Sequence, residues 1–144
     1  MKASMVPCLI GYLVVPSGAA VLGRGVVAKN LHGGLSDFEG YSLENWVCLT
    51  YFESKFNPTA AYDSLRGDYT GYGFFQICNR DRCDHGKNCC HVSCSASLNP
   101  NLKETIECAK KIVKGKRGMG AWTSWTLNCQ DSDTLERWLD GCKL

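Results

Sequence analysis

The chain has 144 residues, 16 Lys and Arg against 14 Asp and Glu, a formal net charge of +2, and ten cysteines. That length suits a single domain able to bury a core of its own. The nearly balanced charge, with neither a basic face nor a recognition motif, argues against nucleic acid as a partner.

The first nineteen residues carry Lys2, an apolar run from Met5 to Val15 interrupted only by Pro7, and small Ser17, Gly18 and Ala19 before Ala20. This is the pattern of a secretory signal peptide. The run is far shorter than the roughly 20 residues a membrane span needs, and no other stretch qualifies. The expectation is a signal at residues 1–19 and one mature domain at 20–144, secreted, with a charge near +1 once Lys2 is removed.

From Ser42 to Ser54 the residues Leu43, Trp46, Val47, Thr50 and Tyr51 recur at the spacing of one buried helical face, with Ser42 placed as N-cap. Asn57 followed by Pro58 bars further helix, because proline disfavours the helical conformation of the residue before it. Glu53 thus falls in the last turn, among aromatics. From Tyr62 to Gln76 the text turns to aromatics around Gly67 and Asp68, which predicts a small antiparallel hairpin.

Nine cysteines remain after Cys8 departs with the signal, a density that in a secreted chain means disulfides. Nine is odd, so at least one thiol lacks an intramolecular partner. Between Cys83 and Cys94 stand four cysteines and two histidines, His85 and His91, a grouping that could bind zinc. An oxidising compartment favours disulfides instead, so neither a metal nor any other cofactor is expected.

Asn101 with Glu104 three residues on makes a capping box for the next helix, whose apolar stripe is Leu102, Ile106, Ala109, Ile112 and Val113. Lys110, Lys111 and Lys114 complement its C-terminal dipole before Gly115 ends it, a solvated basic end in preference to a polyanion patch. Trp122 and Trp125 follow on a short helix, and a last one is expected around Thr134 to Leu139.

The words Tyr41-Ser42-Leu43, Asn45-Trp46-Val47-Cys48, Phe52-Glu53-Ser54, Tyr72-Gly73, Gln76-Ile77, Cys94-Ser95-Ala96, Cys108 to Val113, Gly118-Met119, Ala121-Trp122 and Trp138 to Leu144 stand in an order and spacing that resembles the c-type lysozyme family, the glycoside hydrolases of family 22 type. The resemblance runs from about Val21 to the last residue. It implies an α+β, disulfide-stapled lysozyme-like fold, a helical lobe and a small antiparallel β-hairpin lobe with a cleft between them. It assigns Glu53 to the family's general acid. The second carboxylate should immediately precede Tyr72, and there the chain has Gly71. Retaining hydrolysis needs one carboxyl to protonate the leaving oxygen and an ionised one about 5 Å away to capture the sugar carbon, so half of the pair is missing. Asp68 and Asp63 lie too far along the hairpin to stand in, given a rise of about 3.3 Å per strand residue.

The same resemblance places Gln76, Cys78, Asp81, Arg82, Ala121 and Trp122 along the substrate cleft, with Cys78, Asp81 and Arg82 where lytic members carry an asparagine and aromatics. It implies the disulfides Cys48–Cys129, Cys83–Cys94 and Cys90–Cys108. The family's fourth bridge would reach Cys142 from position 25, which is Gly25, so Cys142 is left over along with the extra Cys78 and Cys89. Cys78 with Cys89 is the preferred additional pair, and an unpaired Cys142 could join two chains covalently in an otherwise monomeric protein. The loop after Cys94 lacks the aspartates of the family's calcium-binding branch, so no calcium site is expected.

The motif wording lies nearest a branch associated with male reproduction. That implies a secreted protein without muramidase turnover, binding an N-acetylglucosamine-containing saccharide or a gamete-surface glycoprotein at the sperm surface or acrosome. Two alternatives remain: a weak peptidoglycan-hydrolysing lysozyme relying on Glu53, and a regulatory subunit of a glycosyltransferase.

Overall fold

The computed structural model describes residues 22–78, 90, 94, 98 and 102–144. Four helices and a three-stranded antiparallel sheet make up the described architecture: α1 (Arg24–Leu35), α2 (Leu43–Ser54), β1 (Ala61–Asp63), β2 (Thr70–Tyr72), β3 (Ile77–Cys78), α3 (Lys103–Val113) and α4 (Thr123–Asn128). Short 3₁₀ turns occupy Phe38–Gly40, Gly118–Ala121 and Leu135–Leu139. No helix among the described residues is long and apolar enough to cross a membrane.

The central element is α2, which packs against α1, α4 and the Leu135–Leu139 turn. Its burial departs from the one-sided stripe. Leu43, Trp46, Val47, Cys48, Leu49, Thr50, Glu53 and Ser54 are all buried, while Tyr51 is half-exposed. A helix covered by neighbours on several sides needs apolar or internally satisfied residues all round. Thr50 and Ser54 meet that need by donating their hydroxyls back to Val47 O and Thr50 O. Ser42 sits at the N-cap but accepts from the Asn45 side chain instead of a backbone amide.

Helix α1 was not legible in the periodicity, because Gly25, Gly33 and Gly34 lower its propensity. Its stripe of Val27, Ala28, Leu31 and Leu35 is nonetheless fully buried. Gly34 is small for a packing reason: a Cβ there would stand 3.3 Å from Ile106 Cγ2 of α3.

On α3 the buried set is Thr105, Cys108, Ala109, Ile112 and Val113, with Ile106 only partly covered. The helix ends at Val113 with Lys114 as C-cap, and Gly115 N–H reaches back to Ile112 O. Leu102 takes the N-cap place, and the capping box at Asn101 lies outside the described residues. The final helix expected from Thr134 is a 3₁₀ turn beginning at Leu135.

Cys48–Cys129 ties α2 to the end of α4, and Cys90–Cys108 ties α3 to the preceding segment. Cys78 and Cys94 are also disulfide-bonded, so Cys78 is not a spare thiol. Cys83 and Cys89 lie outside the described residues, as does most of the Cys/His-rich segment. Cys142 is free and half-exposed, with Arg24 Nη1 3.5 Å from its sulfur. Gly25 is the next residue along α1, and a Cβ built on it meets nothing within 4 Å.

Since Arg24 already reaches Cys142 from the preceding position, Gly25→Cys is expected to close a bridge to Cys142 once the Cys142 side chain turns toward α1. The expected result is loss of the titratable thiol and a gain of about 2 to 4 kcal/mol in denaturant unfolding, the usual range for a bridge that closes a long loop. Two accessible thiols in the folded variant would refute it.

Candidate functional site

Glu53 is carried on the last turn of α2, where the chain leaves the helix through two consecutive non-glycine residues of positive φ, Lys55 (55°) and Phe56 (64°). Such conformations persist only where the surroundings hold them. Here Lys55 N–H reaches Tyr51 O, and Asn57 Oδ1 accepts from both the amide and the hydroxyl of Thr59. This turn directs the chain from the helices into β1.

Glu53 is buried, the residue being 8% exposed. Among the described residues its side-chain partner is Ser124, whose hydroxyl hydrogen-bonds to Oε2. Burial pushes its pKa from 4.5 up to about 8, with Ser124 pulling the other way. No charged neighbour contributes, so this is desolvation of a lone carboxyl in an apolar setting. At neutral pH Glu53 keeps its proton.

Aromatic rings fill the core that α2 crosses. Trp46, Phe75 and Trp122 stack edge to face or tilted with centroids 6.0 to 6.3 Å apart, and Trp122 Nε1 donates to Phe75 O at 2.9 Å. This bond fastens the helical part to the turn between β2 and β3. Trp122 itself is 5% exposed. Its ring lies in the core cluster with Trp46 and Phe75.

Gly71 is the buried middle residue of β2, facing Tyr62 on β1 and Cys78 on β3. Beside it lies Gln76, with positive φ (48°) and a side chain that donates to Gly73 O at 3.0 Å and Ala60 O at 3.4 Å. The amide oxygen of Gln76 leans over Gly71, so close that a Cβ at position 71 would be 2.5 Å from it. That oxygen is buried without a partner. The room next to the Gly71 backbone is thus filled by an amide.

The remaining expected cleft residues separate clearly. Gln76 and Cys78 are each 1% exposed. Ala121 is half-buried, and Asp81 and Arg82 lie outside the described residues. Asp63 and Asp68 are engaged locally, by the hydroxyls of Thr70 and Ser64, and neither is free to replace a carboxylate at position 71. Among the described residues no group of three or more His, Cys, Asp or Glu is arranged to hold a metal ion. Ser124 escaped the sequence reading altogether: a small hydroxyl between two tryptophans carries no pattern of its own.

Residues 20–142 match the model of the C-type lysozyme/alpha-lactalbumin family. The chain belongs to that family. Among its relatives are Lysozyme-like protein 4 of Bos taurus, 79% identical over 145 residues, and of Homo sapiens, 70% identical over 146, both covered end to end as is this chain. Lysozyme C-3 of Sus scrofa is 39% identical over 150 residues, again across the whole of both chains.

Proposed function

We propose that this chain is a secreted lysozyme-fold protein without muramidase turnover that uses its old cleft to bind a saccharide or a glycoprotein, serving sperm function in fertilization. The observation that carries the loss of turnover is Gly71, buried in the central strand under the Gln76 amide, where among the described residues no carboxylate is free to serve. Without a second carboxylate nothing stabilises a developing sugar cation or captures it, and several powers of ten in rate are forfeited. Glu53 remains as a neutral hydrogen-bonding group suited to an uncharged saccharide. Secretion is supported by the signal-like first nineteen residues and by the disulfides, and the reproductive setting by the branch whose wording the motifs share.

The test is to add chito-oligosaccharide and peptidoglycan to the purified mature protein and follow both binding and bond cleavage. Saturable binding with no cleavage above that of a buffer control is expected. Cleavage abolished by Glu53→Gln would replace this reading with that of a weak lysozyme, a second possibility favoured by the proton Glu53 retains at neutral pH.

A further inference from the structure

We propose that the basic end of α3 forms a cavity that selects an anionic substituent, a sulfate ester or a carboxylate, on the saccharide this protein binds. The cavity has a volume of about 300 Å³, and its lining includes three cations, Lys111, Lys116 and Arg117. Ile112 and Ala121 give it an apolar wall, and Gly115 adds no side chain to fill it. A few convergent polar groups on an apolar wall are the usual make-up of a small-molecule site, and this volume is at the lower end of the usual range of about 300 to 1,000 Å³. Ala121 belongs both to this lining and to the positions that the family resemblance places along the cleft.

The basic cluster that reads in the sequence as one solvated helix end divides in the structure. Lys110 and Lys114 turn to one side, where their ammonium groups lie 5.3 and 5.6 Å from the centre of the Phe38 ring, and Lys110 pairs with Glu107 at 3.3 Å. Lys111 turns to the cavity instead, its Nζ donating to Cys90 O at 3.3 Å, and Arg117 Nη2 donates to Gly120 O at 3.4 Å. Both acceptors are neutral carbonyls, which leave the charges uncompensated. Among the described residues no carboxylate lines the cavity, and none pairs with Lys111, Lys116 or Arg117.

The carbonyl end of α3 carries only about half an elementary charge of opposite sign, too little to offset three cations. An anion entering the cavity relieves their mutual repulsion and accepts charge-assisted hydrogen bonds, and the planar fork of Arg117 matches two oxygens of a sulfate or a carboxylate. A neutral hydroxyl does neither. All three cations are exposed, so the attraction is moderate and sensitive to salt. Resting on the cleft-binding reading, the inference narrows the ligand to an acidic saccharide with its charge at this cavity.

The experiment titrates the mature protein calorimetrically with chitotriose, with O-sulfated chitotriose and with chitotriose oxidised to the uronate, at about 0.05 M and about 0.5 M salt. The charged sugars should bind at least about 10-fold more tightly than the neutral one at the lower salt and lose most of that advantage at the higher. Lys116→Gln combined with Arg117→Gln should erase the advantage. Lys110→Gln combined with Lys114→Gln removes as much charge on the Phe38 side and should leave it within about 2-fold. A uronate that binds as well as the sulfate supports a site that reads charge alone, whereas an advantage for the sulfate only assigns the cavity to sulfated sugars. Equal affinities for the three sugars overturn the proposal and leave the cleft-binding reading in place. A charge advantage that survives loss of Lys116 and Arg117, or that falls equally with Lys110 and Lys114, overturns it too, since net charge would then be the cause. Where no sugar binds, inorganic sulfate is followed through the side-chain NMR signals of Lys116 and Arg117. Saturable shifts keep the anion site and remove the saccharide reading, and unmoved signals overturn both.

Discussion

Glu53→Gln should stabilise the protein at alkaline pH and leave it slightly weaker in acid. In the unfolded chain the carboxyl titrates near 4.5, whereas in the folded protein burial holds it at about 8. Between those values the folded state keeps a proton that the unfolded state has released, so stability is greatest below 4.5, falls as pH rises and levels off above about 8. At about 1.4 kcal/mol for each pH unit of that interval, the loss is about 4 to 5 kcal/mol, an upper figure for a carboxyl this enclosed. Glutamine has the same shape and keeps an oxygen for the Ser124 hydroxyl, but it never ionises. Its added N–H group needs a partner, which costs about 1 kcal/mol at any pH. Urea unfolding of both proteins at about pH 4 and about pH 9 should give curves that cross, with the variant ahead by roughly 3 kcal/mol at the higher pH. Parallel pH profiles would mean that Glu53 is solvated in the native state. The other titrating groups are common to both proteins and cancel in the difference.

The same carboxyl shows which features of the fold could be read in the sequence. Helix α2 was legible because Trp46, Val47 and Thr50 repeat at helical spacing and Pro58 terminates the run, and the hairpin because Gly67 and Asp68 stand between aromatic stretches. The motif words carried the family, which residues 20–142 match. Helix α1 was hidden by three glycines, since its stability comes from burying Val27, Leu31 and Leu35 and not from propensity. The contacts around the site were hidden for a different reason. Ser124 meets Glu53 across 71 positions of sequence, and Gln76 reaches Gly71 only because its backbone adopts a positive φ. Neither periodicity nor composition records a pairing set by tertiary packing. Likewise Trp122 is expected at a cleft from its neighbours in the motif, yet its burial follows from Trp46 and Phe75, which close over it.

On the proposed reading, placing a carboxylate at position 71 with Gly71→Asp is expected to raise peptidoglycan cleavage at least about 100-fold over the parent's background. The gain brings a penalty in stability that the geometry defines. An aspartate Cβ would lie 2.5 Å from Gln76 Oε1, 3.1 Å from its Cβ and 3.2 Å from its Cδ, so the glutamine side chain must leave its slot. It would give up its bonds to Gly73 O and Ala60 O, although the slot is an imperfect one because Oε1 is buried there unpaired. Loss of two neutral hydrogen bonds and release of one unsatisfied acceptor largely offset each other, leaving a destabilisation of about 1 to 3 kcal/mol. Adding Gln76→Ala should recover part of it, since the two positions touch and their effects will not be additive. Gly71→Asn separates charge from bulk: it meets the same clash but supplies no nucleophile, and should stay inactive. Glu53→Gln in the Gly71→Asp background should abolish the new activity, because the leaving oxygen then has no acid. A parent that already cleaves peptidoglycan would show that turnover does not depend on a carboxylate at position 71. A folded Gly71→Asp protein that remains inert even with Gln76→Ala would place the lesion elsewhere than at position 71.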